Sequence, residues 1–128
     1  MGLSHMNIVI SVSGNGSEPL FDPRFGRAAA FCLVNTETGD RKVYENPAFS
    51  AAGGAGVKAA QFISSLGAQV VISGAYGPNA FRTLSPARIG MYLVPGNEVL
   101  SVSDVLAQFN TGKLDRAESA THAGYHGS

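Results

Sequence analysis

The run Gln69–Ser73 (QVVIS) constrains the fold more than any other feature of the chain. It is too short for a buried helix. Its consecutive β-branched residues leave no polar face, so a strand here is covered on both sides. The flanks say what covers it. Upstream, Gly56–Leu66 carries apolar residues at Val57, Ala60, Phe62, Ile63 and Leu66, close to helical spacing, and Gly67 follows as a C-cap. Downstream, Asn79 is placed to cap a helix over Ala80–Leu84. A central strand between two helices implies parallel pairing through crossovers that put helices on both faces.

The remaining segments extend this pattern. Asn7–Ser13 (NIVISVS) reads as a first buried strand, Ala28–Asn35 (AAAFCLVN) as a second and Arg41–Glu45 (RKVYE) as a third. The turn TETGD joins the last two as a hairpin. Ile89–Val94 (IGMYLV) reads as a fifth strand, and Ser103 as the cap of a last helix over Asp104–Asn110. The expected order is β-β-β-α-β-α-β-α, an α/β domain with a five-stranded mixed sheet in which strand two is antiparallel. Strands one, three, four and five then point the same way. The loops Gly14–Arg27, Asn46–Ala55, Gly74–Asn79 and Pro95–Ser101 gather at one end, where open α/β sheets bind ligands.

Composition narrows the function classes. The formal net charge is zero, so bulk electrostatics recruits neither nucleic acid nor an anionic membrane. No apolar run approaches the roughly 20 residues that span a bilayer. The start GLSHM has the look of a cloning remnant, so residues 1–5 are set aside, His5 with them. The domain is expected over 6–114 and a flexible polar tail over 115–128. A single cysteine permits no internal disulfide and no CxxC metal site, which fits a cytoplasmic location.

Five features bear on chemistry. GGAGVK (Gly53–Lys58) has glycine backbone at a helix start, where N–H groups favour an anion. It lacks the spacing of a nucleotide phosphate loop, and Ala59 stands where Ser or Thr would hold magnesium. GAYGPNAF (Gly74–Phe81) is a strand-to-helix turn, which lines a ligand or simply makes the turn. DPRFGRAAAF (Asp22–Phe31) offers Arg24 and Arg27 to an anionic ligand, or to salt bridges with Asp22 or Glu18. Cys32 is a small core residue or, facing a site, one thiolate ligand. His122 and His126, four apart in the tail, are candidate metal ligands. The first and fourth strands carry no carboxylate, and no serine or cysteine has a histidine base in reach of sequence reasoning. The expectation is a binding protein without catalysis.

These stretches resemble the dinitrogenase iron–molybdenum cofactor biosynthesis family, which includes NifX, the carboxyl-terminal domain of NifB and the core domain of NafY. The resemblance runs from Met6 to about Leu114 through NIVISVSGNG, DPRFGRAAAFCLVNTETGD, GGAGVKAAQFISSLGAQVVISGAYGPNAF, IGMYLV and VLAQFNTGKL. It implies an RNase H-like three-layer α/β/α fold. It also implies an accessory protein that carries an anionic iron–sulfur-type or iron–molybdenum-type cluster near the glycine-rich edge. Several nitrogenase-associated members have histidine where Arg24 stands. Here Arg24 would hold a cluster by hydrogen bonds. The implied contacts are Arg24, Phe25, Gly26, Arg27, Gly53, Gly54, Gly56, Gly74, Gly77 and Asn79, with Cys32, His122 and His126 as candidate metal ligands. The implied partners are a cluster donor or acceptor protein and, given so few ligands, a second copy in a homodimer. The rival expectation is a regulatory or interaction module that binds a small anion, a nucleotide or a protein partner without metal.

Overall fold

The computed structural model describes residues 6–14, 19–96 and 98–119. Strands β1 (Asn7–Val12), β2 (Ala30–Asn35) and β3 (Arg41–Glu45) come first. Helix α1 (Ala55–Ser65), β4 (Val70–Ser73), α2 (Pro78–Leu84), β5 (Gly90–Leu93), α3 (Val102–Asn110) and β6 (Asp115–Arg116) follow. The sheet order is β3-β2-β1-β4-β5-β6. β1 runs antiparallel to β2 and parallel to β4, β2 is antiparallel to β3, and β4 is parallel to β5. β1, β3, β4 and β5 therefore share one direction, as the alternation of segments requires.

Among the described residues the sheet has six strands rather than five. Asp115 and Arg116 pair antiparallel with Leu93 and Tyr92, and the Ala117 amide donates to the Met91 carbonyl at 2.8 Å. The ordered sheet thus runs past Leu114 into the segment expected to be tail. A polar Asp-Arg pair has no strand signature. Its pairing comes from the free backbone edge of β5 and from burial of Ala117.

Period-two alternation divides the sheet between two cores. Val9, Phe31, Val71 and Met91 face α1 and α2, meeting Ala59, Ala60, Ile63, Ala80 and Leu84. Ile8, Ile10, Val12, Cys32 and Ile72 face α3, meeting Val102 and Val105. Helices thus cover both faces, and every residue of β4 is buried. α3 begins two residues earlier than Asp104. Its cap is Ser101, not Ser103: the Ser101 hydroxyl accepts from the Asp104 amide and the Asp104 carboxylate accepts from the Ser101 amide.

Candidate functional site

The end of the sheet at which β1, β3, β4 and β5 terminate is built around a strap, residues 20–27. Phe21 bridges to Val12, and its amide donates to the Leu100 carbonyl at 2.8 Å. The Asp22 amide donates to the Ser11 carbonyl at 2.9 Å, and the Ser11 hydroxyl donates to the Asp22 carbonyl at 2.5 Å. Ser11 and Ser73, the β1 and β4 hydroxyls beneath the strap, are 2.7 Å apart. The Pro23 carbonyl accepts from the Gly74 amide at 3.1 Å, and Arg24 bridges to Ala75. The strap is therefore stitched across the ends of β1 and β4.

Arg24 lies over Asp22. Its Nε donates to Oδ1 at 3.0 Å and its Nη2 to Oδ2 at 2.8 Å, while its own main-chain amide donates to Oδ1 at 2.9 Å. The Asp22 side chain is 4% exposed and that of Arg24 62% exposed. The hydrogen bonds and the charge of Asp22 raise the guanidinium pKa above its usual value, so Arg24 stays cationic. Phe25, Gly26 and Arg27 form one 3-10 turn. Phe25 is a packing residue: its ring is 5.5 Å from that of Phe31 and 5.4 Å from that of Tyr76. Arg27 is exposed and donates from Nη1 to the Ala51 carbonyl at 2.8 Å, tying the strap to the loop before α1. Tyr76 is fully buried, its hydroxyl 3.0 Å from the Val71 carbonyl and 2.8 Å from that of Tyr92. Burial raises its pKa well above the ordinary phenol value.

The glycines divide by role. A side chain at Gly74 would overlap Pro23 Cβ and lie 2.9 Å from Pro23 Cα. A Cβ at Gly26 would touch the Gly56 amide nitrogen at 3.4 Å, and one at Gly56 would touch the Ala80 nitrogen at 3.3 Å. These three let chain lie on chain. Gly54 caps α1 with φ +70, a left-handed conformation that glycine adopts without strain. Gly53 and Gly77 border open space. Asn79 does not cap α2. Gly77 is the N-cap and Pro78 opens the helix, which leaves Asn79 exposed inside its first turn. Neither α1 nor α2 has a side-chain cap.

Cys32 sits mid-β2, opposite Ile10 and Val43 and 1% exposed in the core shared with α3. Burial raises its thiol pKa more than nearby Arg41 lowers it, which disfavours the thiolate that metals bind. His122 and His126 lie outside the described residues. Among the described residues no group of three or more His, Cys, Asp or Glu is arranged to hold a metal ion.

Sequence reasoning missed the apolar character of this end. Among the described residues the exposed large hydrophobic side chains are Leu20 (42%), Phe49 (54%) and Val99 (80%). All three stand on loops that follow β1, β3 and β5. Two clefts flank the end of β1: one of about 390 Å³ beside Glu45, Asn46 and Phe49, and one of about 360 Å³ beside Leu20, Pro23, Val94 and Val99. The signal lay in single apolar residues isolated within Gly- and Pro-rich loops.

The loop end of this mixed α/β sheet domain combines exposed glycine backbone, two arginines and isolated apolar side chains, at the edge where open α/β sheets bind ligands. The chain belongs to the dinitrogenase iron–molybdenum cofactor family, whose model matches residues 6–112. Among solved structures it is similar to the apo form of the orange protein from Desulfovibrio gigas. That likeness has 34% identity and a TM-score of 0.83, over 94% of this chain and 100% of that one. It is also similar to a candidate NifB protein from Thermotoga, with 30% identity and a TM-score of 0.77 over 91% of this chain and 97% of that one. An uncharacterized protein of Methanocaldococcus jannaschii is 27% identical over 116 residues, 88% of this chain and 92% of the relative.

Proposed function

We propose that this protein is a non-catalytic accessory carrier for an iron–sulfur-type metal cluster or cofactor precursor, held as cargo at the loop end. The observation that carries the reading is convergence. Three motifs far apart in sequence, DPRFGR, GGAG and GAYGPNA, meet through Gly26 on Gly56, Gly56 on Ala80 and Pro23 on Gly74. Family membership supports a role in cofactor handling, and the layering fits the RNase H-like arrangement that the resemblance implies. Arg24, Arg27 and the backbone at Gly53 and Gly54 supply N–H donors for an anionic cargo, with hydrogen bonds in place of metal–ligand bonds. His122, His126 or a second copy of the chain would add any ligands. Leu20, Phe49 and Val99 suit contact with a cluster donor or acceptor at the same end.

A second reading is an interaction module without metal, in which the same apolar residues meet a protein partner or the arginines and glycine backbone hold a small anion. One anaerobic experiment separates the two. Tag-free protein is offered iron and sulfide or a preformed cluster, desalted, and measured for iron content and visible absorbance. Arg24→Ala and a chain ending at Ala120 run beside it. Stoichiometric iron with a charge-transfer band, weakened by Arg24→Ala, is the expected outcome. No iron retained by the intact protein would replace the carrier with the interaction module.

A further inference from the structure

The geometry points to Asp22 as a positioning residue: its buried carboxylate fixes the Arg24 guanidinium so that one N–H edge stays open to a multi-acceptor anion. The inference deepens the proposed function and rests on its reading of Arg24 as an anion contact. A guanidinium carries five N–H groups in one plane. Nε and Nη2 spend one edge on Oδ1 and Oδ2 of Asp22. The other edge, formed by Nη1 and the outer N–H of Nη2, belongs to a side chain that is 62% exposed over a carboxylate that is 4% exposed. This is not a surface pair whose two ends wander. Ser11 holds both main-chain polar groups of Asp22, and Arg24 is itself bridged to Ala75. A long side chain ordered before binding loses less freedom when the anion arrives.

The pair has no net charge. Charge attraction alone therefore predicts that removing the Asp22 carboxylate strengthens anion binding. Positioning predicts the reverse. In Asp22→Asn the amide oxygen can keep the bonds made by Oδ1, while its NH2 group stands donor-to-donor against Nη2. The strap stays stitched and the fork is broken.

The test is a titration of the intact protein with inorganic sulfate at constant ionic strength, followed by the Arg24 Nε–H resonance. In the wild-type chain that resonance shifts with sulfate. Asp22→Asn is expected to bind sulfate about 3- to 10-fold more weakly. Arg24→Lys, which keeps the charge and loses the fork, is followed instead through the main-chain amides of Gly74 and Ala75 beside the strap; it is expected to weaken similarly and covers the case in which Asp22→Asn folds poorly. Sulfate bound equally or more tightly by folded Asp22→Asn would overturn the inference. So would an Arg24 resonance that ignores sulfate in the wild-type chain. The carrier reading fails separately, through absence of iron retention. A sulfate response with no retained iron would leave Asp22 positioning Arg24 in an anion-binding module.

Discussion

Gly74→Ala tests whether the loop end is held by close approach of two chain segments. An added Cβ would overlap Pro23 Cβ, lie 2.9 Å from its Cα and 3.0 Å from its carbonyl oxygen. Two of these neighbours are backbone, so no rotamer change relieves the clash. The strap must move, and the Gly74 amide bond to the Pro23 carbonyl and the Arg24–Ala75 bridge move with it. Overpacking of this kind costs about 2–3 kcal/mol. Unfolding entropy of about 2.1 cal/mol/K per residue gives about 0.27 kcal/mol/K for this chain, so Tm should fall by about 7–11 °C. Gly53→Ala is the control, because Gly53 borders open space. It should stay within about 0.5 kcal/mol of wild type. Urea and thermal unfolding of both variants measure the difference. A Gly74→Ala chain melting within about 2 °C of wild type, or a Gly53→Ala chain equally damaged, would refute the close-approach argument.

Tyr76→Phe should cost about 1–3 kcal/mol in urea unfolding, because the Val71 and Tyr92 carbonyls lose a buried donor. The pKa of Tyr76 is raised in the folded state, so its contribution is complete below about pH 10 and declines above it as only the unfolded chain releases the proton. The folding constant of the wild type should then fall by up to about tenfold more per pH unit than that of Tyr76→Phe, and matching alkaline profiles would remove the argument. Cys32 should resist a thiol reagent at pH 8 in the folded protein and react fully in denaturant, since it is 1% exposed; rapid native labelling would contradict its place in the core. Ser101→Ala should destabilise by about 0.5–2 kcal/mol through loss of the α3 capping box, read from the urea midpoint.

Much of the fold was legible because local patterns and tertiary burial agree. Val70–Ser73 is buried on both sides, as its unbroken apolar run requires. The hairpin strand Arg41–Glu45 falls where its turn places it. The misses have two causes. β6 and the spacing roles of Gly26, Gly56 and Gly74 depend on what another segment presents across space, whereas the starts of α2 and α3 follow local signals that were read a few residues late, Pro78 after Gly77 and Ser101 paired with Asp104. A glycine that accommodates Pro23 reads like a glycine that accommodates a ligand. Ser11 and Ser73 look like the polar ends of apolar runs until the strap lies across them. Arg24 and Asp22 were visible as a possible pair, but the burial that makes Asp22 a fixed support is a property of the assembled end.

The chain-on-chain glycine contacts also bear on how a loaded protein would differ from an empty one. Strap, α1 and α2 are locked to one another at backbone distance, so occupancy has little slack to convert into a change of shape. A donor and an acceptor would then meet nearly the same protein surface before and after transfer. On the proposed carrier reading, discrimination between the two states would fall to the charge and chemistry of the cargo itself, and not to any rearrangement of its holder.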